Sequence, residues 1–207
     1  VLRGVAATIV VFAHCNLVGK KITSETSELA YELVHSGGKG VQLFFLLSAF
    51  TLFYTYSLHK QKENHYVLNF YIRRFFRIAP LFYVAVFVSY LFLKKTDIVD
   101  SIYSIFFING LFPSKVHSVV PAGWTISTEV LFYCFVPLLF KYINSMKRAV
   151  VFFVSSLFFK AILTALLIKV FNLNYDYLHF YLPANLPVFA MGIILYFAFT
   201  ENGSFSM

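Results

Sequence analysis

The feature that most restricts this chain is a series of apolar stretches, most of them the length of a bilayer crossing. Val1–Val18, Val41–Leu58, Phe75–Leu93, Trp124–Phe140 and Ala149–Ile168 are each almost wholly apolar. At a rise of ~1.5 Å per residue, each matches the ~30 Å hydrocarbon thickness as a helix. A sixth stretch, Phe180–Thr200, carries Pro183 and Pro187 near its start, where proline is tolerated. A seventh, Ile102–Phe112, contains Gly110 and is short for a crossing. It reads as a re-entrant or half helix, or as part of a longer tilted span. Hydrocarbon cannot satisfy an open backbone, so the expected fold is all-α: a polytopic transmembrane helix bundle with about six or seven membrane segments. Composition excludes a soluble alternative. Hydrophobic residues make up 59% and charged residues 13%, against ~25% charged in soluble domains, leaving too little polar surface to face water.

Charge sets the expected topology. The net charge of +8 acts through membrane topology and anionic headgroups before nucleic acid, for which no basic patch is patterned. His59–Arg77 holds Lys60, Lys62, Arg73, Arg74 and Arg77 against Glu63 alone, so it is expected in the cytoplasm. If Ile102–Phe112 does not cross, Lys141, Lys147 and Arg148 fall on that side too. Lys20, Lys21, Lys94 and Lys95 lie outside in either case. Cys15 and Cys134 sit in apolar runs and read as small core residues, with neither a disulfide framework nor metal-ligand spacing. Without repeats or linkers, residues 1–207 read as a single membrane-embedded domain. Its apolar start at Val1 suggests a piece of a longer chain, cut at both ends.

Four stretches place polar chemistry inside this apolar frame. In Arg3–His14, eleven positions at about 100° each complete three turns plus about 20°, so arginine and histidine share a helical face. Two such groups on one face should meet a protein interior or a wet cavity. A snorkelling arginine and a hydrogen-bonded structural histidine are the plainer reading. In Gly37–Phe50, Gln42 and Ser48 are polar; a serine bonded to its own helix explains Ser48 well enough when taken alone. In Phe70–Pro80, Arg74 and Arg77 are three apart, with Arg73 beside them; guanidinium forks suit phosphate, though for an isolated cluster a positive-inside anchor on lipid headgroups is the better reading. In Gly123–Phe135, Glu129 stands between Thr125 and Tyr133, four residues to either side. A carboxyl at membrane depth defaults to function, with a structural pair to an arginine such as Arg3 as the other option. No histidine is followed by aspartate five positions on, and neither a G-x-S-x-G nor a phosphate-binding G-x-x-x-x-G-K-[ST] is present.

Together these stretches resemble the acyltransferase-3 family of integral membrane proteins. The resemblance rests on Arg–ten residues–His (Arg3, His14), Gly-Val-x-x-Phe-Phe-x-x-Ser (Gly40 to Ser48), Arg-x-x-Arg (Arg74, Arg77) and Trp-Thr-x-Ser-x-Glu (Trp124 to Glu129). Each motif alone is weak; four in the family's order, over residues 3 to about 135, are specific. Ala49 departs from the glycine usual after the serine, so close packing there is expected to differ. The resemblance implies an O-acyltransferase of a bacterial cytoplasmic membrane. It would move an acyl group, commonly acetyl, from acyl-CoA as co-substrate to a hydroxyl of a cell-surface or exported carbohydrate or glycolipid. No bound cofactor or metal is implied. His14 takes the catalytic position with Arg3 as its partner, and Arg74 and Arg77, with Arg73 adjacent, handle acyl-CoA. Glu129 is the third catalytic candidate, as a group that orients or charges His14. Ser48, Trp124 and Tyr133 are structural or substrate-lining candidates. A transporter or channel using Arg3, His14 and Glu129 as a polar pathway is the competing function.

Overall fold

The computed structural model describes Gly4, Thr8 and residues 37–92, 97–116, 119–173 and 177–201. Gly4 and Thr8 are helical, and the Thr8 hydroxyl donates to the Gly4 carbonyl at 2.8 Å. The rest of the first expected span, Arg3, His14 and Cys15 included, lies outside the described residues. Six α-helices follow: α1 (Gly37–Lys62), α2 (Tyr66–Phe92), α3 (Ile98–Ile105), α4 (Gly123–Tyr142), α5 (Met146–Phe171) and α6 (Leu182–Glu201). Five of them, all but α3, are long and apolar enough to cross a membrane.

The expected seventh segment is not a span. It forms the eight-residue α3 and two short 3₁₀ turns, Asn109–Leu111 and Pro113–Lys115. At ~1.5 Å per residue α3 covers only ~12 Å. The chain bends where Phe107 adopts a left-handed φ of 58°, and the Phe107 ring stacks on Phe82 at 5.1 Å. Phe82 lies ten residues before the end of α2, ~15 Å down its axis, so the segment reaches back along α2 to the level at which Gly123 begins α4. The re-entrant alternative describes it, and among the described residues the span count is five.

Helix α2 corrects a second expectation. It starts at Tyr66, not Phe75, because hydropathy cannot see helix where arginines interrupt the apolar run. Its 27 residues reach ~40 Å, about 10 Å beyond the hydrocarbon thickness. The turns that hydropathy leaves out carry Arg73 and Arg74.

The hand-over between helices gathers the basic residues. The end of α1 and the start of α2 are joined by residues 63–65 alone. The Lys60 ammonium lies 5.4 Å over the ring of Phe140, near the end of α4. Lys141, Lys147 and Arg148 follow on α4 and α5, and Arg148 donates to the Tyr142 carbonyl at 3.0 Å. At the opposite end Trp124 meets Phe45 and Phe180 edge-on, at 6.2 and 4.8 Å.

Inside the bundle, α6 packs most extensively on α1 and α5. The α1–α6 approach depends on Gly192: a Cβ there would stand 2.2 Å from the Leu46 carbonyl oxygen and 2.8 Å from the Ala49 Cβ. Ala49 is fully buried and fits because the residue facing it has no side chain. Small residues at such a crossing let membrane helices pack by close contact. Phe132 stacks on Phe189 with ring centres 4.0 Å apart, and Phe45 joins them at 4.7 Å. Cys134 departs from expectation: it is exposed, its thiol directed to the Val130 carbonyl at 3.6 Å.

Candidate functional site

The site grows from the first turns of α4. Ala122 precedes the helix with a left-handed φ of 58°, a costly conformation for a residue with a side chain. Its carbonyl accepts the Thr125 hydroxyl at 2.8 Å. Gly123, Ser127, Thr128, Glu129, Phe132, Tyr133 and Val136 are buried. Spacings of three and four put most of them on one helical stripe turned toward the rest of the bundle.

Three polar members of that stripe each bond to a different element. The Ser127 hydroxyl donates to the Asn109 side-chain oxygen on the re-entrant segment. The Thr128 hydroxyl donates to the Phe180 carbonyl at 3.0 Å. The Ser48 hydroxyl, from the middle of α1, donates to Glu129 Oε1. Ser48 is fully buried and Glu129 is 2% exposed. A serine satisfied by its own helix is therefore not what the fold contains. Buried polar groups cost least when partnered, so these bonds fix the height of α4 against its neighbours. Asn109 and Ser127 belong to the frame of the site although neither stood out in the sequence. An asparagine inside a short apolar segment, and the serine of the Trp-Thr-x-Ser-x-Glu stretch, were the available signals.

Glu129 faces a cavity of about 480 Å³ between α1, α2 and α4. Its wall includes Gly4, Phe44, Arg77, Ile78, Glu129 and Tyr133, and Phe82 closes it on the side of the re-entrant segment. Gly4 is the residue after Arg3 in the chain. A carboxylate and a guanidinium thus share one chamber at membrane depth, otherwise walled mainly by apolar groups.

The three clustered arginines do three different things. Arg73 is on the surface, and its Nη1 donates to both Glu63 oxygens at 2.9 and 3.0 Å. Asn69 adds a third bond to Glu63 at 2.8 Å, and the bonds from Asn69 and Arg73 hold that carboxyl below its ordinary range. Arg74 points between helices: it donates to the Thr55 hydroxyl at 2.9 Å and lies over the Phe70 and Tyr133 rings, 5.6 and 5.8 Å from their centres. Arg77 reaches the cavity wall. Of the lining candidates, Tyr133 is on that wall, whereas Ser48 bonds to Glu129 and Trp124 lies in the aromatic cluster with Phe45 and Phe180.

A chamber with a buried carboxylate and an arginine, sunk in a helix bundle, suits chemistry on a substrate that enters from the membrane or its surface. Neither a curated protein nor a solved structure matches the chain. A family model described as an acyltransferase domain matches residues 1–207, a range that contains the arginine–histidine, glycine–serine, arginine and tryptophan–glutamate stretches, and the chain belongs to the acyltransferase-3 family of membrane acyltransferases.

Proposed function

We propose that this membrane acyltransferase moves an acetyl group from acetyl-CoA to a hydroxyl of an exported or cell-surface carbohydrate, in a bacterial cytoplasmic membrane. The observation that supports the reading is the shared cavity of Glu129 and Arg77, with Gly4, neighbour of Arg3, on its wall. His14 acts as general base, its imidazole suited to accept a proton near neutral pH. It takes the proton of the acceptor hydroxyl as that oxygen attacks the thioester carbonyl. The tetrahedral adduct collapses, the C–S bond breaks, and the leaving CoA thiolate takes the proton from the imidazolium. Ester and free CoA result, with no covalent enzyme intermediate. Arg77 presents its guanidinium fork to donor oxygens. Glu129, held by Ser48, keeps the imidazole oriented and stabilises its charged form. Arg74, already engaged with Thr55 and two aromatic faces, braces the wall beside them.

The test is acetyl transfer by the full-length protein in proteoliposomes, with acetyl-CoA and a polysaccharide or glycolipid acceptor. His14→Ala is expected to insert at wild-type levels and to lose transfer by ~10²–10⁴-fold, the range general-base catalysis supplies. Substantial acetylation by a normally inserted His14→Ala would overturn the assignment. Cys15→Ala should keep most activity, because adjacent helical positions point about 100° apart and an apolar setting suppresses the thiolate.

A further inference from the structure

The seam between α2 and α4 holds a second, smaller recess of about 180 Å³. It lies about one turn nearer the basic end than the Glu129 cavity. Its walls include Phe75, Ala79, Phe107 and Val130, with Arg74 at one edge. Two residues line both spaces: Ile78 and Tyr133. Ile78 packs against both the core around Phe45 and Phe132 and the smaller core around Phe82 and Phe107. Together, Ile78 and Tyr133 form the partition between chamber and recess.

We propose that this partition sets the acyl length the enzyme accepts, with Ile78 as a specificity-determining residue. The inference rests on the acyl-transfer reading above. A thioester carbonyl placed beside Glu129 and Arg77 must send its alkyl tail somewhere. The adjoining apolar recess is the natural direction, because alkyl groups leave water favourably and Arg74 is tied to Thr55 and to two rings. With Ile78 and Tyr133 in place the tail stops at the partition, and a two-carbon acyl group fits best. Trimming Ile78 joins the two spaces and makes room for a longer tail.

The experiment compares acetyl-, butanoyl- and hexanoyl-CoA as donors for the full-length wild type and for Ile78→Ala in the same membranes. A methylene in an apolar pocket changes discrimination by ~10–200-fold. The hexanoyl-to-acetyl ratio of kcat/KM is therefore expected to rise at least ~10-fold in Ile78→Ala. Val130→Phe, which refills the recess alone, should reverse the gain when added to Ile78→Ala. The milder Ile78→Val, read with butanoyl-CoA, carries the same test if Ile78→Ala does not insert, and should raise the butanoyl-to-acetyl ratio. A wild type that transfers acetyl, with variants that transfer acetyl but show no change in ratio, overturns the partition and leaves the acyl-transfer reading standing. A wild type that prefers hexanoyl over acetyl overturns it as well. A wild type that uses no acyl-CoA at all is the outcome that removes the reading beneath it.

Discussion

Two carboxylates and two arginines, divided between two places in the molecule, show how the same residue types take on different work. At the turn between α1 and α2, Glu63 accepts three hydrogen bonds, two from Arg73 and one from Asn69. The group is at the surface, Arg73 being 41% and Glu63 24% exposed. About one turn along α2 from Arg73, Arg77 shares a cavity with Glu129, which is 2% exposed and bonded to Ser48. At the turn, opposite charges are consumed in holding two helix ends together in water. In the seam, an acidic side chain is kept where hydrocarbon would otherwise exclude it, satisfied by a serine from another helix. Both arginines are exposed; what separates them is what they meet, Glu63 for Arg73 and the cavity of the buried Glu129 for Arg77.

The largest expected effect breaks the comparison at its acids. Glu129→Gln preserves shape and hydrogen-bonding capacity but removes the charge, and should lower acyl transfer by at least ~100-fold. Glu63→Gln should leave transfer within about threefold, since an exposed ion pair contributes little. Measuring both in proteoliposomes at equal protein content decides it. Equal losses from the two substitutions would mean that Glu129 is as architectural as Glu63.

A smaller effect sharpens the comparison at its arginines. Arg77→Lys replaces a planar fork with a point charge, and losing one charge-assisted hydrogen bond of ~1.4 kcal/mol raises KM for acyl-CoA ~10-fold. Arg73→Lys keeps an ion pair with Glu63 and should leave donor KM unchanged. Initial-rate kinetics over acyl-CoA concentration measure both. An unchanged KM in Arg77→Lys returns that residue to a role at the membrane boundary.

Much of this was legible in the sequence, and the gaps have physical causes. Apolar length alone predicts α1, α4, α5 and α6 within a few residues, because a bilayer leaves helices few alternatives. The start of α2 was not legible: hydropathy averages count Arg73, Arg74 and Arg77 against a span, although arginine is a good helix former. The three arginines could be grouped but not told apart, since Glu63, Thr55 and the cavity wall that they meet are supplied by other turns and helices. Glu129 stood out as a carboxyl in an apolar run, but its bond to Ser48 spans 81 positions. The Ala49 departure could be noticed but not evaluated, because its consequence depends on Gly192, a residue on another helix.

The smallest expected effect concerns pH and again separates the two regions. The bonds from Asn69 and Arg73 lower the Glu63 carboxyl from its ordinary value of 4.5. A carboxyl with a lowered folded-state pKa binds protons more weakly in the folded protein than in the unfolded chain. Its stabilising contribution is therefore fully present above pH 4.5 and is lost as pH falls through the lower folded value. Arg73→Gln removes one partner of the pair and should cost the detergent-solubilised protein a slight, salt-sensitive drop in Tm at pH 7. That difference should shrink as the pH falls through the lowered folded value and Glu63 takes up its proton. Thermal unfolding of wild type and Arg73→Gln at pH 7 and at pH 3 makes the measurement. A gap that persists unchanged in acid would show that Arg73 stabilises this turn by packing its stem, not through its charge on Glu63.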